Sequence, residues 1–128
     1  MRVLIDTHVL LWAVGGDKKL SRTAHGILSS FENEVFVSAA SAWEIATKYR
    51  LGKLPAAGAL AGNINAIVEQ LGFRPLPISL GHAERAGALP GEHRDPFDRM
   101  LIAQSQAENL PLVSNEHLFD AYGIRRIW

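Results

Sequence analysis

The stretch Arg2-Val3-Leu4-Ile5-Asp6, at the start of the sequence, is its clearest indication of the fold. Its β-branched and aliphatic side chains predict a short buried strand that ends at a carboxylate. In open α/β sheets, ligands bind outside the carboxyl ends of the strands. Asp6 is therefore predicted at an edge of the sheet where a ligand can bind.

Strand-like and helix-like segments alternate along the rest of the chain. Predicted strands cover 2–5, 34–37, 74–78, 112–113 and 124–127, and predicted helices cover 7–14, 21–31, 41–52, 58–71, 79–88 and 96–109. Pro75 and Pro77 indicate that the third strand is short or lies at an edge. The alternation is typical of parallel strands with helical crossovers. We expect one domain over residues 1–128, a three-layer α/β/α sandwich with a small, mainly parallel sheet.

The composition is that of a globular protein and excludes several functional classes. The 128 residues are 48% hydrophobic, and 13 basic residues balance 13 acidic ones, which argues against a histone-like nucleic-acid binder. The sequence has no cysteine, so disulfides, thiolate catalysis and cysteine-based metal sites are excluded. No apolar run approaches the roughly 20 residues that span a bilayer. We expect a cytoplasmic protein with no membrane partner.

Carboxylates follow several of the predicted strands or begin a helix. Hydrolysis of a phosphodiester needs an activated water and stabilisation of charge on the leaving oxygen, and divalent cations with oxygen ligands supply both. The candidate catalytic acids are Asp6, Glu44, Asp98 and Glu116, of which the first three are the candidate metal ligands. Residues expected to support them are Thr7, Ser38, Asp95, Ser114 and Asn115.

Each acid also has a purely structural interpretation, and the sequence leaves these open. Asp6 is a candidate N-cap for the helix that follows it. Glu44 would close a capping box with Ser41. Asp95 is a candidate N-cap, and Asp98 would then complement the helix dipole. Glu116 would be an ordinary exposed residue of a loop.

Four segments, in this order, resemble the PIN-domain family and, within it, the VapC-type toxins of toxin–antitoxin modules. These segments are residues 4–8 (LIDTH), 37–45 (VSAASAWEI), 95–104 (DPFDRMLIAQ) and 112–116 (LVSNE). The resemblance implies that Asp6, Glu44 and Asp98 are the first three acids of the family site. The fourth family acid, usually Asp, corresponds to Glu116, whose longer side chain departs from the pattern.

The resemblance also implies an activity and partners. It implies cleavage of RNA, such as tRNA or rRNA, with Mg²⁺ or Mn²⁺ as the cofactor and with 5′-phosphate and 3′-hydroxyl products. It further implies a homodimer and a small antitoxin protein that covers the active-site groove. Whether one or two cations act is left open by the sequence.

Basic residues near the predicted site are candidate RNA contacts. They are Lys48, Arg50, Lys53, Arg94 and Arg99. The alternative for the first three is a solvated helix end, where cations favour the helix dipole. The five histidines lack the spacing of a zinc helix and are expected not to be ligands. The three tryptophans, including Trp43, have aliphatic neighbours and are expected to be packing residues.

Other functions compete with the nuclease hypothesis. A receiver domain is also a small α/β fold with clustered acids, but it needs a lysine after a late strand, and no lysine follows Lys53. A small-molecule metallohydrolase is disfavoured by the lack of paired histidine ligands. A non-catalytic metal- or partner-binding module, and an RNA-processing nuclease that is not a toxin, both fit the sequence.

Overall fold

The first predicted strand lies at the centre of a five-stranded sheet in the computed structural model, which describes residues 1–128. The strands are β1 (Arg2–Ile5), β2 (Glu34–Ser38), β3 (Arg74–Leu76), β4 (Leu112–Val113) and β5 (Arg126–Ile127). Their order is β3-β2-β1-β4-β5, and every neighbouring pair is parallel. Ile5 pairs with Val37 on one side and with Val113 on the other. The carboxyl ends of the three central strands therefore meet at one edge.

Six α-helices connect the strands. They are α1 (Thr7–Gly15), α2 (Arg22–Ser29), α3 (Ala39–Arg50), α4 (Ile64–Gln70), α5 (Leu80–Ala88) and α6 (Pro96–Glu108). Short 3₁₀ segments lie at Pro55–Ala57 and His117–Tyr122. No helix combines the length and the apolar character needed to cross a membrane.

Side chains that alternate along β1 enter two separate cores. Val3 and Ile5 pack on one face of the sheet with residues of α1, α2, α3 and α4. Leu4 packs on the other face with Leu101 and Ile102 of α6 and with Phe119. Because both faces are covered by helices, the sheet is the middle of three layers. The predicted α/β/α sandwich is thus confirmed.

The start of α3 differs from the prediction. The helix begins at Ala39, directly after β2, and the Ser38 hydroxyl caps it by accepting a 3.0 Å hydrogen bond from the backbone N–H of Ala40. Ser41 lies inside the first turn, where its side chain contacts Thr7 and not a helix end. The predicted capping box between Ser41 and Glu44 is therefore wrong, because the strand continues into the helix three residues earlier.

The predicted helix over 58–71 is also wrong in its first half. Gly62 has a φ of +86°, which ends any right-handed helix, and α4 begins only at Ile64. The predicted edge position of β3 is confirmed, and its three-residue length agrees with the effect expected of Pro75 and Pro77. Ser21 caps α2 as predicted, but the helix ends at Ser29, two residues before Phe31.

Candidate active site

Residues from five parts of the chain line the edge where the strands end. Asp6 follows β1, Ser38 ends β2 and Ser114 follows β4. Glu44 lies in α3, and Asp98 lies in the first turn of α6. Parallel strands bring their carboxyl ends together, so the topology of the sheet places the first three residues at this edge.

Asp6 is almost fully buried, with 6% of its surface exposed. Its Oδ2 atom accepts a 2.7 Å hydrogen bond from Ser114 Oγ, and its side chain makes no capping hydrogen bond to α1. Burial raises the pKa of Asp6 above its usual value, against the lowering effect of the Ser114 hydrogen bond and the His8 charge. The charge of Glu44 raises this pKa further. Ser114 thus provides the main hydrogen bond that orients the carboxylate of Asp6, and the backbone of Thr7 at the start of α1 adds a smaller lowering of its pKa.

Glu44 is buried in the interior of α3, one turn before Lys48. The Lys48 ammonium donates a hydrogen bond to Glu44 Oε2, and this is the usual i, i+4 ion pair of a helix. The carboxylate does not turn back to the backbone of Ser41. One turn earlier, the Thr7 hydroxyl donates to Ser41 Oγ at 2.9 Å and links α1 to α3. The supporting role of Thr7 is thus to join the two helices beside the acids.

Asp98 lies 2.8 Å from His93 Nε2, measured from its Oδ2 atom. Burial raises the pKa of Asp98 to about 6, and the charges of Asp95 and Asp6 add to the effect, whereas the His93 hydrogen bond opposes it. Asp95 Oδ1 accepts hydrogen bonds from the backbone N–H groups of Phe97 and Asp98 at 2.9 and 3.0 Å. The predicted N-cap role of Asp95 is confirmed, and its carboxylate fixes the turn that bears Asp98.

The charges of these residues act on one another. The pKa of Asp6 depends on Glu44, and that of Asp98 depends on Asp6 and Asp95. Burial lowers the pKa of Lys48, but its contact with Glu44 and the nearby charges of Asp95 and Asp98 raise it overall. In this arrangement no three carboxylate or imidazole groups are close enough together to form a ready-made metal-binding cluster. The acids thus share an electrostatic environment, while each accepts a hydrogen bond from a different donor.

The fourth predicted acid stands apart from the other three. The side chains of Glu116 and Asn115 are exposed, and Glu116 makes no hydrogen bond or ion pair through its carboxylate. The backbone N–H of Glu116 donates to Ser114 Oγ at 3.0 Å. In this structure Glu116 therefore contributes to the site through the orientation of Ser114, which is itself completely buried.

Sequence reasoning missed two partners of the site residues. Gln104, fully buried in α6, accepts a hydrogen bond from Ser38 Oγ and donates to the carbonyl of Pro77. The available signal in the sequence was a glutamine directly after the apolar residues Leu101-Ile102-Ala103, on the same helix as Asp98. His93 was expected to have no role as a ligand, and its contact with Asp98 depends on a loop whose course no periodicity predicts.

The candidate RNA contacts differ in their surroundings. Arg50, Lys53 and Arg94 are exposed, and Lys48 is half-buried against Glu44. Arg99 instead donates three hydrogen bonds to the carbonyl oxygens of Ala86, Leu89 and His93, at 3.1, 2.6 and 3.0 Å. Its guanidinium thus has a structural role in fixing the loop that bears His93, and the RNA contact expected of Arg99 stays a prediction.

Trp43 is the aromatic residue whose surroundings differ most from the expectation. It was expected to be a packing residue and not a surface for base stacking. Its ring does pack against Phe97, with centroids 5.0 Å apart, yet 60% of its surface is exposed because position 43 lies on the outer side of α3, one residue from buried Glu44.

Comparisons with known proteins agree with this architecture. The family model for the PIN domain matches residues 3–124. Ribonuclease VapC16 of Mycobacterium tuberculosis is 39% identical over 66 residues, which are 50% of this chain and only 47% of that protein. The chain thus matches about half the length of this curated relative.

Solved structures with the same fold cover almost the whole chain. FitAcB from Neisseria gonorrhoeae has a TM-score of 0.70 and 20% identity over 100% of this chain and 97% of its own. VapBC2 from Rickettsia felis, bound to a DNA fragment of its promoter, has a TM-score of 0.70 and 15% identity, with 99% and 98% covered. VapC20 of Mycobacterium tuberculosis, described as a toxin that cleaves the sarcin–ricin loop, has a TM-score of 0.65 and 18% identity, with 95% of each chain covered. At these identities the likeness to solved structures shows the fold alone. The family model, which matches residues 3–124, shows the family: the chain belongs to the PIN-domain family.

Proposed function

We propose that this chain, as one domain over residues 1–128, is an endoribonuclease that depends on a divalent cation and acts as the toxin of a toxin–antitoxin pair. The observation that carries the proposal is the placement of Asp6, Glu44 and Asp98. These acids come from the end of the central strand and from two helices, and their charges act within one partly buried environment.

The chemistry of these side chains fits a hard cation such as Mg²⁺ or Mn²⁺. All three candidate ligands are carboxylates, and burial raises the pKa values of Asp6 and Asp98. A positive charge at this place would reverse that effect, because it favours the ionised form of each acid. When bound, the cation would activate water and stabilise charge on the leaving oxygen of the phosphodiester.

The residues around the acids have definite tasks in this proposal. Ser114 orients Asp6, and Asp95 fixes the turn that presents Asp98. Lys48 and His93 contact Glu44 and Asp98 and would have to give up these contacts as the acids turn toward a cation. Lys48 then becomes available to a phosphate of the RNA, together with the exposed Arg50, Lys53 and Arg94.

The proposed partners follow from the names of the similar proteins. The similar solved structures include a toxin–antitoxin complex from Klebsiella pneumoniae. The sequence relative is described as a ribonuclease, and VapC20 as a toxin that cleaves the sarcin–ricin loop. We therefore propose an RNA substrate and a small antitoxin protein. The homodimer and the cytoplasmic location are implied by the family resemblance and stay predictions. An RNA-processing nuclease that is not toxic would have the same chemistry, and growth after expression of the chain alone separates the two.

A second candidate function has one observation in its favour. Because Glu44 is paired with Lys48 and no three ligand groups are clustered, the same acids would also suit a PIN-like module that binds a partner without catalysis. Such a module would bind RNA or protein but would not cleave RNA in the presence of any divalent cation.

The test is cleavage of mapped RNA by purified protein with and without Mg²⁺ or Mn²⁺. We expect cation-dependent cleavage by the parent and a loss of at least about 100-fold in Asp6→Asn, beyond the effect typical of outer partners of a metal site. Asp17→Asn, an exposed aspartate outside the site, is the matched control. Equal cleavage by the parent and Asp6→Asn, or cleavage that survives chelation, would contradict the proposal.

A further inference from the structure

The exposed side chain of Trp43 is the feature that the site described above does not use. Of its surface, 60% is exposed, although it directly precedes the buried acid Glu44. Trp12 and Trp128 are half-buried and contact each other, with ring centroids 5.8 Å apart. Successive residues of a helix point about 100° apart, so the Trp43 side chain leaves α3 beside Glu44 but in a different direction.

Phe97 supports the Trp43 ring from one side. The two ring centroids are 5.0 Å apart with an interplanar angle of 78°, an edge-to-face contact that fixes the orientation of the indole. Phe97 directly precedes Asp98, just as Trp43 directly precedes Glu44. The aromatic pair Trp43–Phe97 therefore joins the two helices immediately beside two of the candidate acids.

A cationic group and an apolar cavity lie next to this aromatic pair. Lys48 Nζ is 5.8 Å from the centroid of the Phe97 ring while it pairs with Glu44. A cavity of about 190 Å³ lies beside the two rings and is lined also by Ala40, Pro96 and Met100. A flat apolar surface with a cation at its edge complements a nucleotide, whose base is flat and whose phosphate is an anion.

The surroundings of Trp43 favour a nucleotide over a partner protein. The residues that share its face of α3 are small or polar: Ala39, Ala46, Thr47 and Arg50. A protein partner commonly needs a continuous apolar patch, whereas the apolar surface here is confined to Trp43, Phe97 and the small cavity beside them, and the neighbours on α3 are small, polar or charged. Unpaired bases of RNA are commonly recognised by stacking on one aromatic side chain in such a setting.

We propose that Trp43, held in orientation by its contact with Phe97, stacks against an unpaired base next to the scissile phosphate and so positions the RNA strand. This inference rests on the proposed nuclease function. Trp43 is a positioning residue, and its contribution depends on the presence of a base at one particular nucleotide. Stacking on one aromatic ring changes affinity by about 5- to 150-fold.

The experiment combines a protein variant with removal of the base. A single-stranded RNA that contains the mapped cleavage site is prepared intact and with an abasic nucleotide on either side of the scissile phosphate. We expect Trp43→Ala to lower kcat/KM on intact RNA by about 5- to 150-fold and to have little effect on one of the abasic RNAs. Trp43→Phe, which keeps an aromatic ring, should retain most of the kcat/KM of the parent on intact RNA.

The matched control is Phe31→Ala. Phe31 is a fully exposed aromatic residue that precedes the amino end of β2, at the opposite edge of the sheet from the acids. Its removal should leave kcat/KM unchanged on all RNAs. An equal loss from Trp43→Ala on intact and abasic RNA would overturn the inference, and so would a change in oligomeric state or antitoxin binding with unchanged cleavage.

Failure of the nuclease proposal is distinguishable from failure of this inference. If the parent does not cleave RNA at all, the proposed function fails, and stacking is then tested by binding. Asp6→Asn with and without the additional Trp43→Phe change is titrated with a short oligoadenylate, and tryptophan fluorescence is measured. A quench that requires Trp43 supports stacking, and an identical response of both proteins rejects it.

Discussion

Ser114 Oγ donates a 2.7 Å hydrogen bond to Oδ2 of Asp6, across 108 residues of sequence. The same oxygen accepts a hydrogen bond from the backbone N–H of Glu116, so the hydroxyl proton is directed at the carboxylate. Neighbouring parallel strands β1 and β4 bring the two residues together. The orientation of this buried candidate acid is thereby set by a residue with no charge of its own.

Replacing Ser114 with Ala should lower cation-dependent RNA cleavage by about 10- to 100-fold, the range typical of groups that orient a metal ligand. Because the Ser114 hydrogen bond lowers the pKa of Asp6, its loss should also make Asp6 more basic. Ser105→Ala is the matched control, since this buried hydroxyl donates to the carbonyl of Leu110 away from the acids. Similar activity losses in both variants would show that the effect is one of general stability.

Asp98→Asn should stabilise the protein against unfolding at neutral and alkaline pH. Because the folded-state pKa of about 6 lies above the ordinary value of 3.8, the folded chain favours the protonated acid. Stability is therefore lost as pH rises from about 4 to about 6, with a ceiling of roughly 3 kcal/mol. Urea denaturation between pH 4 and pH 8 measures this.

The gain from Asp98→Asn should be greatest above pH 7 and should become small at pH 4 and below, where the folded chain keeps this acid protonated and the unfolded chain increasingly does so too. Asp17→Asn, at an exposed position, is the control, and its stability relative to the parent should not rise between pH 4 and pH 8 in this way. A variant that is less stable than the parent at pH 8 would contradict the pKa assignment and the energetic cost of burying this charge.

Mg²⁺ or Mn²⁺ should raise the melting temperature of the parent more at pH 7.5 than at pH 5.5. The cation and the proton compete for carboxylates whose pKa values are raised, so acid weakens cation binding. At 100 times the Kd, a ligand adds about 2.7 kcal/mol to the free energy of unfolding. Glu44→Gln should lose most of the shift, and Glu84→Gln, an exposed glutamate, should keep it. A shift independent of pH and of Glu44 would place the cation elsewhere.

Arg99→Met should destabilise the protein by about 1.5–3 kcal/mol, since three carbonyl oxygens lose a charged donor. The loop with His93 would no longer be fixed beside Asp98, and RNA cleavage should fall as well. Arg85→Met is the control, because exposed Arg85 donates only one hydrogen bond, to Gln106. Retention of full stability by Arg99→Met would contradict the role assigned to this guanidinium.

Much of the fold was predictable because its signals are local. The run of aliphatic residues before Asp6 predicted β1 residue for residue, and Asp95-Pro96 predicted the start of α6. The errors arose where two local signals competed. Ser38 and Ser41 are both good N-caps, and only the length of β2, which its pairing with β1 and β3 determines, selects the first.

The site was less predictable because its contacts are not local. The acids themselves follow from the ends of strands and the start of a helix, yet His93, Gln104 and the orientation of Ser114 depend on loops and on packing between layers. The exposure of Trp43 was missed because aliphatic neighbours in sequence do not reveal which side of a helix faces the core.

The candidate ligands differ in their freedom to move, because Asp6 follows the central strand β1 whereas Glu44 and Asp98 lie on helices. Asp6 is attached to the strand with hydrogen-bonded neighbours on both sides, so its backbone belongs to the most rigid part of the molecule. Glu44 and Asp98 reach the same region from helix turns, each restrained by one exchangeable partner. Assembly around a ligand therefore requires Glu44 and Asp98 to exchange their present partners, Lys48 and His93. Because Glu44 is itself buried, the rate at which a ligand is captured should depend on how readily these contacts break and not on movement of the central strand.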